Sequence, residues 1–197
     1  MDRRNFLMSS TAALGAAASV FGSPADTVRV ACIGIGGRGK DHINGYSKLE
    51  SSRVAAVCDI DESHLANAEK QIVGLGKPAP QPYKDIRKLL ESKDIDAVSI
   101  SAPNHWHTLM AIWAMQAGKD VYVEKPCSHN MFEAKQIVAA ARKYNRMCQQ
   151  GSQIRSSKAV QEAVQKMRDG FLGDVYLARG LCYKRRNTIG HTPVEPV

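Results

Sequence analysis

Three short stretches hold residues whose types and spacing can do chemistry. The first is "GIGGRG", which sets Gly34, Gly36 and Gly39 in a G-x-G-x-x-G pattern. Glycines so spaced let a chain turn sharply out of a strand. They also let its backbone approach a pyrophosphate, and let the following helix pack close to the strand. The helix start adds amide donors and a partial positive charge. Asp59 stands twenty residues beyond Gly39, at the end of the next apolar run. An acid at that place hydrogen-bonds ribose hydroxyls, so Gly34, Ile35, Gly36, Arg38, Gly39 and Asp59 read as a dinucleotide site that favours NAD. Arg38 can soften the acid's repulsion of a 2′-phosphate, which keeps NADP open.

The second stretch is "SAPNHWH", residues 101–107, and the third is "VYVEKPCSH", residues 121–129. Each follows an apolar run. In "SAPNHWH", Pro103, Asn104 and His107 are candidates to line the cofactor, and Asn104 could instead cap the next helix. His105 and His107 lack a third ligand at a suitable spacing, so a metal site is not expected. Trp106 and Trp113 read as packing residues, with recognition as the alternative. In "VYVEKPCSH", Lys125 beside a nicotinamide could steer a hydroxylated or anionic substrate, or exchange a proton if partly buried. Glu124 and Lys125 are both candidates to bind the cofactor, with Glu124 also a partner for the lysine; a plain Glu–Lys ion pair at the sheet rim is the structural alternative. Pro126 is a place for a cis peptide bond.

Such residues work only if the elements between them bring the three stretches together. From Thr27 the pattern alternates. Apolar runs at 27–34, 53–59, 96–102, 120–125 and 146–151 read as strands. The segments 38–50, 61–74, 83–92, 107–118 and 130–145 read as helices, and 76–82 as a loop. Asn130 and Glu133 have the spacing of a capping box. Strands alternating with helices imply an α/β fold, a Rossmann-type doubly wound parallel sheet with helices on both faces. Ligands of such sheets sit beyond the carboxyl ends of the strands, where all three stretches fall.

The two ends of the chain differ from this middle. Residues 1–25, "MDRRNFLMSSTAALGAAASVFGSPA", set two arginines before a weakly apolar Ala/Ser/Gly run and resemble a twin-arginine export signal. The run is too short and too small-sided for a good membrane span. The expectation is therefore export to a periplasm, with no stable membrane insertion. Residues 26–151 form the Rossmann domain on this reading, and 152–197 begin a second α/β domain: a helix over 156–173, then a strand over 174–186.

The net charge of +8 lies in the last third, since residues 135–197 hold 12 Lys/Arg against 4 Asp/Glu. No aromatic-basic interleaving accompanies it, so a nucleic-acid partner is not expected. The five cysteines form no C-x-x-C pair, which argues against a zinc site or a disulfide framework. Cys32 and Cys58 fall in apolar runs and read as small buried hydrophobes.

Together, "GIGGRG", "APNHWH" and "EKP" at these separations resemble the Gfo/Idh/MocA (glucose–fructose oxidoreductase / inositol dehydrogenase) family, over roughly residues 27–186. The resemblance implies a Rossmann domain followed by an open-sheet domain. It also implies hydride transfer between NAD(P) and a hydroxyl-bearing carbon of a sugar or cyclitol, and a homo-oligomer built through the second sheet. The family's motif lysine, matching Lys125, contacts nicotinamide and substrate. Its acid/base histidine and aspartate belong to the second domain. His191 lies in a Pro/Gly-rich tail outside any matching motif, so the chain reads as part of a longer protein. An NAD-dependent glycosidase of the same fold is the runner-up. A non-catalytic nucleotide-binding module is the reading from a different class.

Overall fold

The computed structural model describes residues 27–183 and 185. Residues 1–25, read from the sequence as an export signal, and His191 lie outside the described residues. Two units are distinct, with the division between Gln150 and Gly151.

The first unit is built on six strands: β1 (Val28–Ile33), β2 (Ser52–Cys58), β3 (Gln81–Tyr83), β4 (Ala97–Ile100), β5 (Asp120–Val123) and β6 (Cys148–Gln150). They lie in the order β3-β2-β1-β4-β5-β6, and each neighbouring pair is parallel. β1 has β2 on one side and β4 on the other, so the strand order reverses there. That reversal opens a crevice at the carboxyl ends of β1 and β4.

Alternate side chains of β1 feed two cores. Val30 and Cys32 join Ile43, Val54, Val57, Ala68 and Ile72 on the face covered by α1 (Gly39–Lys48) and α2 (Glu62–Gly74). Ala31 and Ile33 join Leu89, Val98, Ile100, Ala111, Met115, Val123 and Ile137 on the other face. There α3 (Ile86–Leu90), α4 (Asn104–Gln116) and α5 (Met131–Tyr144) lie. Burial on both faces explains why the strands are apolar throughout. Each fully buried Ile or Leu adds about 1.5–3 kcal/mol. In β2 the register slips opposite Val30 and Ala31, leaving Ala55 as the extra residue of a bulge. The bulge is why Val54 and Val57, an odd number apart, share one core.

Cys32 and Cys58 are 0% and 4% exposed, and burial pushes both thiols up to about 12. They are core hydrophobes and not nucleophiles.

Helix starts follow local chemistry. Asp61 caps α2 by accepting from the Ser63 amide, and Asp85 caps α3 by accepting from the Arg87 amide. Asn130 accepts from the Glu133 amide at 3.0 Å, while Glu133 reaches back to the His129 amide at 2.8 Å. This closes the expected box one residue further out.

Two expectations are corrected. Residues 81–83, assigned to a loop and a helix start, form the edge strand β3. Pro82 donates no ladder hydrogen bond and hid the strand; an edge position tolerates it. The second unit has a 3₁₀ turn (Gln153–Ser156) and α6 (Lys158–Arg168), but residues 174–183 form no strand. Tyr176 and Tyr183 in this segment are 96% and 86% exposed. Among the described residues no strand pairs with this segment.

Candidate functional site

The crevice has two lips. On the β1–β2 side, Gly34 turns the chain at φ 76°, a left-handed conformation that favours glycine. Its amide donates to the Cys58 carbonyl at 2.9 Å. A Cβ on Gly34 would strike the backbone of Ala102, just beyond β4, and one on Gly39 would strike the Gly34 carbonyl. A Cβ on Gly36 would strike the ring of His64. The loop is therefore tight at each of its three motif glycines, and it leads straight into the amino end of α1.

Asp59 closes this lip. Its carboxylate accepts from the Ile35 amide at 2.8 Å and from the Asp61 amide at 3.1 Å. The acid thus holds the glycine loop against the end of β2. Ile35 was expected to face the cofactor, but its amide is taken by Asp59 and its side chain is 1% exposed in the core. It shapes the loop from behind. Arg38 was expected near Asp59. Its guanidinium instead donates to Asp41 at 2.7 Å and to Glu124 at 3.4 Å, on the opposite lip.

The β4–β5 lip rests on buried polar side chains. Glu124, expected to face the cofactor, is instead 5% exposed and turns inward. One of its oxygens lies 2.9 Å from His42 Nε2, and the other accepts from the Lys125 amide at 3.2 Å. His42 Nδ1 meets the Ser99 hydroxyl at 2.8 Å, and the ring stands edge-on to Tyr122. Burial alone would raise the Glu124 carboxyl. The hydrogen bonds from His42, the Lys125 amide and Arg38 outweigh it and hold the group below the usual carboxylate range. Ser99 is 0% exposed, so this Ser–His–Glu chain is a brace and no nucleophile faces the crevice through it.

On top of that brace, Lys125 is exposed at the rim, and the Lys125–Pro126 peptide bond is cis. His107 was expected to line the cofactor. It is 3% exposed, with Nδ1 2.6 Å from the Pro126 carbonyl and Nε2 2.6 Å from the Ala102 carbonyl. Thr108 donates to the Cys127 carbonyl at 2.9 Å. His107 and Thr108 tie the loop after β5 to the start of α4, so His107 acts through the loops it joins. Pro103 holds the cap position of α4, and Asn104, its first residue, is exposed and makes no cap. Trp106 is 40% exposed and lies 6.5 Å from Trp113, which packs on the core. Among the described residues no three His, Cys, Asp or Glu side chains are grouped to hold a metal.

His42 and His64 were missed by sequence reasoning. His42 shares the buried face of α1 with Gly39, Ile43 and Ser47, a spacing that marks it as inward-facing. Nothing in one sequence says that Glu124, 82 residues away, is its partner.

The residues fit a dinucleotide. Its glycine loop is bare of side chains, opens a helix and sits at the switch point, with an acid at the end of β2. That constellation defines a doubly wound dinucleotide-binding domain. Residues 28–152 match the family model described as "Oxidoreductase family, NAD-binding Rossmann fold". The chain belongs to this Gfo/Idh/MocA family.

Among relatives, a "Glycosyl hydrolase family 109 protein" of Shewanella pealeana is 34% identical over 157 residues, 76% of this chain and 34% of that protein. A Shewanella baltica protein of the same description is 34% identical over 154 residues. The chain thus spans about a third of the length of these curated relatives. Among solved structures, myo-inositol 2-dehydrogenase from Lactobacillus plantarum superposes with a TM-score of 0.69 at 27% identity, covering 76% of this chain and 43% of that one. Scyllo-inositol dehydrogenase from Lactobacillus casei, with bound NAD(H) and scyllo-inositol, gives 0.68 at 26% identity, covering 75% and 43%.

Proposed function

We propose that this chain is the cofactor-binding part of an NAD(P)-dependent oxidoreductase acting on a hydroxyl-bearing carbon of a sugar or cyclitol. The observation that carries the reading is Lys125, exposed at the crevice rim on a buried brace of Glu124, His42 and Ser99. Bound NAD would supply a hydride acceptor at the nicotinamide. The chain's own residues then divide the work. The glycine loop and the amino end of α1 bind the pyrophosphate, and Asp59 binds ribose. Lys125 orients the substrate hydroxyl and assists movement of its proton. The inositol dehydrogenases among the structural neighbours support a cyclitol-like substrate.

A second reading is favoured by the glycosyl hydrolase description of the relatives. On it, the same site oxidises the sugar transiently and the net reaction is cleavage of a glycosidic bond. One experiment separates the two. The protein is given NAD and a panel of cyclitols, free sugars and aryl glycosides, while NADH and released aglycone are followed. Net NADH from a polyol supports the first reading, and aglycone release without net NADH supports the second. NAD binding with neither reaction, in the protein extended to its relatives' length, would leave a non-catalytic nucleotide-binding module. Lys125→Ala should lower turnover about 10²–10⁴-fold.

The twin arginines at Arg3 and Arg4 support export of the folded protein. Lysine substitution of both should keep it in the cytoplasm. A second domain beginning near residue 152 and a homo-oligomer formed through it belong to the same proposal. Size-exclusion chromatography of the extended protein tests the latter. Among the described residues no helix is long and apolar enough to cross a membrane.

A further inference from the structure

The ring of His64, in the first turn of α2, occupies the room that Gly36 leaves. Nδ1 lies 3.3 Å from one Asp59 oxygen and Nε2 lies 3.8 Å from an Asp61 oxygen. Nδ1 is buried and makes no hydrogen bond, being close to Asp59 but out of line with it. A buried ring nitrogen without a hydrogen bond is unfavourable to the fold. It faces the carboxylate that ribose hydroxyls would seek. The nearest charged groups on its own helix are Asp61 and Glu62, and Glu62 is already paired with Lys84 at 2.6 Å. From the glycine loop, Arg38 is turned away toward Asp41 and Glu124. The basic side chain beside Asp59 is thus His64, in the place expected of Arg38.

We propose that His64 is a second reader of the adenosine ribose, and that with Asp59 it sets the preference between NAD and NADP. A dinucleotide seated on Asp59 and Gly36 must meet this ring. A ribose hydroxyl shared between the Asp59 carboxylate and the imidazole would give the unpartnered nitrogen its hydrogen bond. The inference rests on the assignment of the domain to NAD binding.

The test is calorimetric binding of NAD, NADP and ADP-ribose to the 197-residue chain. His64→Ala should weaken NAD and ADP-ribose alike, by about three- to tenfold, the worth of one hydrogen bond. His64→Gln, which keeps an N–H at similar reach, should recover part of the loss. NADP should lose more than NAD in His64→Ala, because its 2′-phosphate then meets Asp59 and Asp61 with no imidazole between. Arg38→Ala should affect NAD and NADP by the same factor. Thermal unfolding without ligand checks that each variant folds. Unchanged or tighter NAD binding in a folded His64→Ala overturns the proposal, as does a NAD/NADP ratio that ignores His64. If the unaltered chain binds neither NAD nor ADP-ribose, the cofactor assignment itself fails, and this inference with it.

Discussion

The two lips of the crevice are held by opposite means. The β1–β2 lip is held through its backbone: Gly34 against Ala102, Gly39 against Gly34, and the Ile35 amide on the Asp59 carboxylate. The β4–β5 lip is side chain against side chain: Ser99, His42, Glu124 and Arg38 in a buried chain beneath Lys125. The first has no room for an added atom. The second loses a buried hydrogen-bond partner when any member is removed. A phosphate-binding loop needs bare, fixed amides, and glycine provides them only by leaving no room for anything larger. A rim lysine needs a direction, and a buried carboxylate braced from behind fixes the backbone that carries it.

Substitutions can break this contrast in order of size. Gly34→Ala should do most damage. The left-handed conformation alone costs about 1–3 kcal/mol. The overlap with Ala102 adds to it, so calorimetric NAD binding should vanish and the melting temperature fall. Wild-type affinity in Gly34→Ala would show that the lip can open. Asp59→Ala should weaken NAD by about 1.5–3 kcal/mol, the range of a charge-assisted hydrogen bond. An unchanged dissociation constant would mean the acid only holds the loop.

On the other lip, His42→Ala should cost about 1–3 kcal/mol of stability by chemical denaturation, since it strips a partner from both Glu124 and Ser99. NAD affinity should change less than in Asp59→Ala. The reverse order of effects would put the brace, and not the loop, in charge of the cofactor.

The smallest effect is acid sensitivity. The folded state holds Glu124 below its usual range, so the unfolded chain takes up that proton first as pH falls. The brace's contribution is complete above the unfolded value, about 4.3, and is lost as pH drops through the lower folded value. Glu124→Gln should flatten that part of the stability curve below pH 5, and an identical curve would deny the brace its charge.

The lips also differ in how far one sequence reveals them. Gly34, Gly36, Gly39 and Asp59 lie within 26 residues, and their spacing encodes a local turn, so the loop was legible. The brace joins positions 42, 99 and 124, which only the strand order brings together. Arg38 shows the limit most clearly. Its place in the loop suggested a role beside Asp59, and the fold turned it to Glu124. His107 looked like a cofactor ligand and is a buried tie between two loops.

The sequence by itself determined the alternation of strands and helices, the parallel doubly wound sheet, the glycine loop and its acid. These follow from periodicity and short-range spacing, which act on the backbone before any distant contact forms. Tertiary structure decided the rest. It made Pro82 part of an edge strand, seated His42 under Glu124 and set His64 against Gly36. Each depends on which surface lies across from a residue, and that is fixed only when the sheet order is complete.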